Sequence, residues 1–205
     1  MRAELLELIT PSVCPGCDAP RREGALRLCS TCTGELIPLP RLREVHTVLA
    51  YAGRGALLLR RFKFEHRLDA LAVLLGLLIS RVRPFRFDGV VPVPRHPQRV
   101  RELGSDPTFE LAHALTRQIG SPLWDGVLRR KHPTRSQTSL DSLQRRWNVR
   151  GSFQARPASL RGRTALLLDD ITTTGATLRE AASELHNTAG AKRVVRVALE
   201  GTIEV

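Results

Sequence analysis

Thr164-Ala-Leu-Leu-Leu-Asp-Asp-Ile-Thr-Thr-Thr-Gly-Ala-Thr-Leu178 decides the fold class of this chain. Its continuous apolar run is the mark of a central parallel strand covered on both faces. The strand ends in Asp169 and Asp170, and a hydroxyl- and glycine-rich turn then opens a helix predicted over Ala176–Asn187. Such a turn places several backbone N–H groups at a helix N-terminus, where they and the helix dipole hold a phosphate. Gly175 lets the backbone approach that phosphate closely. Thr172, Thr173, Thr174 and Thr177 add hydroxyl donors around Ala176. The two acids lie at the carboxyl end of the strand, where open α/β sheets bind ligands. Their carboxylates can accept hydrogen bonds from vicinal ribose hydroxyls, directly or through Mg²⁺. Leu166–Thr177 is therefore expected to be a ribose-phosphate loop of the phosphoribosyl-pyrophosphate type. An ordinary helix N-cap cluster also favours Asp and Thr, but it has no need of two adjacent acids followed by Thr-Thr-Gly-Ala-Thr. A nucleotide triphosphatase loop would need Gly-x₄-Gly-Lys-Ser/Thr, and that lysine is absent.

Outward from this segment, strands and helices alternate. Arg193–Leu199 reads as a final strand, Phe87–Val93 as a short strand closed by prolines, and 45–51 as a strand broken by Gly53 and Gly55. Ala56–Phe62 looks helical, Leu68–Val82 reads as a buried helix, and Thr108–Ile119 as an amphipathic helix ended by Gly120. Val127–Arg129 is a candidate short strand, and 131–147 a mobile basic loop leading into a helix near Leu140–Trp147. Trp124 and Trp147 are read as packing residues. The alternation predicts an α/β fold, a parallel sheet flanked by helices. The apolar stretch at Leu68–Val82 falls short of the roughly 20 residues that span a bilayer, so no membrane insertion is expected. The N-terminus carries Glu4 and Glu7 and does not read as a signal peptide, which predicts a cytoplasmic protein.

All four cysteines fall in one short stretch, as Cys14-Pro-Gly-Cys17 and Cys29-Ser-Thr-Cys32. Two C-x₂-C knuckles joined by a short loop match a tetrathiolate zinc site, in which neighbouring thiolates grip one tetrahedral ion. Redox pairs and a disulfide staple are the alternatives. The first belongs at a strand–helix junction of a thioredoxin-like unit, and the second conflicts with a reducing compartment. With four ligands and no open position, the ion would be structural Zn²⁺. A domain boundary is expected at Pro40, with a zinc ribbon over 1–40 and the α/β domain over 41–205. The ribbon is too small to fold without its metal.

The formal charge is +12, carried by 32 Lys and Arg against 20 Asp and Glu, and only Lys63, Lys131 and Lys192 are lysines. Such an excess favours an anionic partner, a phosphorylated small molecule or a nucleic acid. Aromatic content of 4% weakens a stacking-platform model for single strands.

Taken in order, the four cysteines, Tyr51 followed by Lys63-Phe64, and Val91-Pro92-Val93-Pro94 resemble the ComF (GntX-like) competence-protein family. The likeness continues through Gln137 before Leu140, Arg145 and Arg146 with Asn148, Gly151-Ser152-Phe153 and the loop at Leu166–Thr177, and so spans nearly the whole chain. It implies a type I phosphoribosyltransferase fold with an N-terminal zinc ribbon. It also implies a cytoplasmic role in natural transformation, handling incoming single-stranded DNA, with a DNA helicase or other transformation proteins as partners. The ribose-phosphate site would then serve ligand binding or regulation. Alternatively, the chain is an active phosphoribosyltransferase in which Mg²⁺-pyrophosphate leaves the anomeric carbon and a nitrogen nucleophile attacks. Asp169 and Asp170 would be its catalytic residues, steadying the cationic ribose by electrostatics. Arg95 falls where the superfamily's pyrophosphate loop would lie, and either offsets pyrophosphate charge or is a solvated loop arginine. Arg129, Arg130, Lys131, Arg135, Arg145 and Arg146 form either a loop closing over substrate, a nucleic-acid contact or a solvated basic face. One departure stands out: where related chains carry Arg-Gly-Phe-Asn-Gln, this chain reads Arg101-Glu-Leu-Gly-Ser-Asp-Pro107.

Overall fold

In the computed structural model, which describes residues 13–20, 28–131 and 151–202, the apolar run from Thr164 lies inside a five-stranded sheet. The strands are β1 (Arg41–Leu42), β2 (Val45–Ala50), β3 (Gly89–Pro92), β4 (Leu128–Arg130), β5 (Phe153–Ala155), β6 (Thr164–Thr172) and β7 (Arg193–Gly201). The helices are α1 (Ser30–Gly34), α2 (Gly53–Glu65), α3 (Leu68–Val82), α4 (Pro97–Leu103), α5 (Pro107–Ile119) and α6 (Ala176–Asn187). The sheet runs in the order β1-β2-β7-β6-β3. Neighbours among β2, β7, β6 and β3 are parallel, β1 is an antiparallel edge, and β4 and β5 form a separate two-stranded ribbon. This is the expected α/β architecture.

Side chains alternate across a strand, and β6 shows what that does. Leu166 and Leu168 pack with Leu58, Leu59, Leu74, Leu78, Leu111 and Leu115 of α2, α3 and α5 on one face. Ala165 and Leu167 pack with Leu178, Ala181 and Leu185 of α6 and with Leu128 and Phe153 of the β4–β5 ribbon on the other. With both faces covered, the strand must be apolar throughout, and its two acids can only sit at the end where the sheet opens.

Several elements differ from the sequence reading. Gly53 and Gly55 do not stand between a strand and a helix; both lie inside the first turn of α2. A Cβ at Gly55 would meet the Ala50 carbonyl oxygen at 3.1 Å, so the helix starts hard against the strand end. Helix α3 is one-sided rather than buried throughout: Ala70, Leu74, Leu78 and Val82 are in the core, whereas Leu68 is 74% exposed. Helix α4 and strand β5 were not foreseen. The departure at Arg101–Pro107 spans the end of α4, a left-handed turn at Gly104 and the start of α5. There Asp106 caps α5, accepting from the Thr108 and Phe109 amides at 3.1 and 3.2 Å. The segment thus carries a helix-capping device. Trp124 is a packing residue, seated so closely on Gly89 that a Cβ there would lie 2.5 Å from its ring.

Candidate ribose-phosphate site and metal centre

Asp169 and Asp170 are consecutive strand residues, so they leave β6 toward opposite faces. Asp170 continues the row of Leu166 and Leu168 toward α2. There it receives Lys63 Nζ at 2.6 Å and the Arg95 guanidinium. Its other oxygen accepts from the Ile171 amide at 2.7 Å. Burial alone would raise the Asp170 carboxyl, but the charges of Lys63 and Arg95 outweigh it and hold the group well below the usual carboxylate range. Asp169 faces the β4–β5 side and accepts from the Asp170 amide at 2.9 Å. Burial, reinforced by the charge on Asp170, pushes its carboxyl up. The two surroundings push the carboxyls apart, Asp170 toward its charged form and Asp169 toward its neutral form.

Arg95 is neither solvated nor unattached. It comes from the loop after β3, pairs with Asp170, and lies 3.8 Å from the capping carboxylate of Asp106. Burial opposes its charge, and Asp170 more than compensates. Arg130, at the end of β4, lies with its guanidinium carbon 5.2 Å from the centroid of the Phe153 ring. Burial lowers its pKa, Asp169 opposes that, and Arg95 adds to it. Arg130 thus belongs to the electrostatic surroundings of the acid pair. Arg129 and Lys131 are exposed. Arg135, Arg145 and Arg146 lie outside the described residues, as do Gln137, Asn148, the basic loop beyond Lys131 and the helix expected near Leu140–Trp147.

Two residues at this end of the sheet escaped the sequence reading of the site. Lys63 is carried by α2 and is the closest cation partner of Asp170 with a distance in the ordinary range. Glu200, at the carboxyl end of β7 and in register with Ile171, is fully buried. Neither of its carboxylate oxygens has a hydrogen-bond partner among the described residues. Burial pushes its carboxyl up to about 8, against the pull of Lys63. A signal for Glu200 exists in the sequence: like Asp169, it is an acid that ends an apolar strand.

The turn after β6 has the expected shape. Thr172 still pairs with Gly201 in the sheet, and its carbonyl accepts from the Thr202 amide at 2.8 Å. The amides of Thr173, Thr174 and Gly175 have no partner among the described residues. Those of Ala176, Thr177 and Leu178 open α6, where helix geometry supplies no intrahelical acceptor; only Ala176 finds a weak one, the Thr174 hydroxyl at 3.4 Å. Gly175 takes φ +73°, and a Cβ there would stand 3.3 Å from Val45 Cγ2. Thr173, Ala176 and Thr177 are partly exposed, while Thr172 and Thr174 are buried. An anion would therefore meet main-chain donors and the hydroxyls of Thr173 and Thr177.

The cysteines converge as their spacing predicts. The four sulfur atoms lie within 4.8 Å of one another, and all four are free thiols. Cys17 Sγ and Cys29 Sγ stand 3.8 Å apart, close to the edge of about 3.8 Å that metal–sulfur bonds of about 2.3 Å give a tetrahedron. The donor set fits one metal ion. Burial would raise the Cys14 thiol, but the amides of Cys29, Gly16 and Cys17 outweigh it and bring it down to about 6. Gly16 has no substitute here, because a Cβ would lie 2.8 Å from Cys32 Sγ. The first knuckle is tied to α2. Arg54 donates to the Gly16 carbonyl at 2.6 Å and Arg61 to the Pro15 carbonyl at 2.7 Å. Asp18 pairs with Arg61 at 2.5 Å and with Arg67 at 2.7 Å. The helix that delivers Lys63 to Asp170 also holds the cysteine centre.

Known proteins resemble this chain along most of its length. DNA utilization protein YhgH of Escherichia coli O157:H7 is 29% identical over 182 residues, covering 85% of this chain and 78% of that one. Competence protein ComFC of Bacillus subtilis is 28% identical over 181 residues, 86% of this chain and 72% of that one. Competence protein F of Haemophilus influenzae is 28% identical over 134 residues. Relatives with these names, at 28–29% identity over most of the chain, support its assignment to the ComF family. No family model matches the ComF-like sequence. Among solved structures, the UMP synthase of Leishmania donovani is similar with a TM-score of 0.42 and 17% identity, over 70% of this chain and 24% of that one. The α/β assignment rests on the chain's own parallel sheet. Among the described residues, no helix is long and apolar enough to cross a membrane.

Proposed function

We propose that this protein acts in DNA uptake, binding incoming single-stranded DNA in the cytoplasm, and that its β6–α6 turn holds a ribose phosphate of the phosphoribosyl-pyrophosphate type. The reading rests on one observation above the rest: the unpartnered amides of Thr173, Thr174 and Gly175 gathered beside two buried acids at the open end of the sheet. Competence and DNA utilization names among the relatives, together with a charge of +12, support the DNA role. In this reading residues 1–40 are a zinc ribbon whose four cysteines hold a structural Zn²⁺, and 41–205 are the phosphoribosyltransferase-like domain. The ribbon, fixed to α2, is the surface for a DNA helicase or another transformation protein. In the same reading Mg²⁺ accompanies the phosphoribosyl pyrophosphate.

The ion pairs bear on catalysis. Asp170 already serves Lys63 and Arg95, and Asp169 is held toward its neutral form. This favours binding of the ligand over phosphoribosyl transfer, the alternative in which the two acids steady a cationic ribose. Calorimetry with phosphoribosyl pyrophosphate and Mg²⁺ tests the site. Binding by the wild type that weakens in Asp169→Asn and Gly175→Val supports it; equal heats in all three overturn it. Anisotropy of a labelled oligonucleotide tests the DNA role, with log K falling by about 0.7 per log unit of salt for each phosphate contacted. Absence of binding at low salt removes that half of the reading. Pyrophosphate release from a panel of bases and amines would instead establish the transferase.

A further inference from the structure

At the amino ends of the parallel strands, the cations are placed quite differently. A cleft of about 920 Å³ opens there between the C-terminal ends of α3 and α5, floored by the starts of β3 and β6. Its walls include Arg83, Phe85, Arg86, Phe87, Gln118 and Ser121. Arg83 and Arg86 are exposed, and neither pairs with an acid among the described residues. Phe85 and Phe87 are half-buried, with their inner sides on the core and the Phe85 ring centroid 4.5 Å from that of His46.

The charge continues past the cleft. Thr164 lines it, and Arg163 precedes Thr164 in the chain. Arg193 is the register partner of Thr164, and the Lys192 amide donates to the Arg163 carbonyl at 2.8 Å. Arg163, Lys192 and Arg193 are all exposed and have no acidic partner among the described residues. Asp88, the acid in the cleft, accepts from the Thr164 amide at 2.8 Å. The nearby His46 has its pKa lowered by burial first and then by the charges of Arg41, Arg81, Arg193 and Arg196, which reports a positive potential at this end of the sheet. Helix C-termini attract cations on their own account, and that accounts for Arg81 and Arg83. It does not account for Arg163, Lys192 and Arg193, which stand where parallel strands begin.

We propose that this cleft is where single-stranded DNA lies, with bases against Phe85 and Phe87 and phosphates on Arg83, Arg86 and the Arg163–Arg193 rim. The proposal rests on the DNA-handling reading above and locates it on the end of the sheet opposite the phosphate turn. Aromatic faces beside guanidinium groups suit unpaired bases, whereas a duplex would offer them only its backbone. The volume lies near the top of the small-molecule range of roughly 300–1,000 Å³, which suits a few nucleotides of a single strand.

The test uses the full chain and a labelled oligothymidylate about 16 nucleotides long, the upper end of single-module site sizes. Arg83→Ala/Arg86→Ala should flatten the dependence of log K on log salt by about 1.4, two contacts at 0.7 each. Arg83→Glu/Arg86→Glu should weaken binding on the order of tenfold or more. Arg60→Glu, at an exposed position of α2 outside the cleft lining, should stay near wild type. A bromodeoxyuridine-substituted strand should crosslink to the segment holding Phe85 and Phe87. Unchanged calorimetry of phosphoribosyl pyrophosphate in the cleft variants, with an unchanged circular dichroism spectrum, confirms that their loss is local. If the wild type binds DNA and the cleft variants bind equally well, the location is overturned while the DNA role stands. If the wild type binds no oligonucleotide, both fall.

Discussion

The two ends of one sheet treat charge in opposite ways. At the carboxyl end, Asp170, Lys63, Arg95, Asp169 and Glu200 are gathered into a buried network, and the acids differ in protonation because their surroundings differ. At the amino end, Arg83, Arg86, Arg163, Lys192 and Arg193 stand exposed without acidic partners among the described residues. A buried ion pair is costly to break because removing one partner strands the other, whereas an exposed cation is cheap to remove and is screened by salt. The first end is therefore built for one fixed geometry, and the second for an anionic partner that comes and goes.

That contrast can be broken or sharpened by experiment. The largest expected effect is at the cysteine centre. Chelation of the metal, or Cys32→Ser, should release the knuckle that Arg54 and Arg61 hold, because structural zinc contributes on the order of 10 kcal/mol to such modules. Limited proteolysis should then cut near Val13–Pro20 while the sheet survives. Survival of the knuckle without metal would contradict this.

Next in size is Lys63→Met, which leaves Asp170 with Arg95 and costs about 3 kcal/mol by the scale for a broken buried pair, read as a lower denaturation midpoint. Arg83→Met at the other end should change that midpoint by less than about 0.5 kcal/mol. Equal costs at the two positions would erase the distinction between the ends.

A smaller effect follows from Glu200. Its folded pKa, about 8, lies above the ordinary value of 4.5. A group raised on folding adds stability below the unfolded value that is lost as pH climbs through the folded one. Stability should decline from about pH 4.5 to about 8 on this account, and Glu200→Gln should flatten the decline, raising Tm more at pH 8 than at pH 5. Asp170 runs the other way: with its carboxyl held low, its contribution is present above the ordinary carboxylate range and is lost only in strong acid. At the phosphate turn the expected change is modest: Gly175 takes φ +73°, and the substitution is Gly175→Ala. It should cost about 1 kcal/mol in stability, yet weaken ribose 5-phosphate binding measurably by calorimetry.

Much of the fold was legible because its signals are local. The apolar run of β6, the cap-rich turn into α6 and Gly120 closing α5 each depend on residues a few positions apart, and each element formed where expected. The boundaries missed were those set by neighbours. Gly53 and Gly55 look like breakers, but α2 starts there because the strand end leaves room for no side chain at Gly55. Strand β5 is three residues long and exists through its pairing with β4. In the site, Lys63 was visible only as part of a family pattern and Arg95 only as a pyrophosphate-side or solvated loop arginine, since nothing in a linear sequence says that both end on Asp170.

The sequence alone determined the chemistry available: two C-x₂-C knuckles, an acid pair ending an apolar strand, a turn rich in amides and hydroxyls, and a large excess of arginine. Tertiary structure decided how each group is used. The same residue type is held low at Asp170 by Lys63 and Arg95 and pushed up by burial at Asp169, as is the acid at Glu200. Arginine is fixed to carbonyls and carboxylates along α2 and exposed, with no acidic partner among the described residues, at the amino ends of β6 and β7. The reason is physical: residue identity fixes which charges exist, whereas desolvation and the distance to a counter-charge exist only once distant segments have packed together.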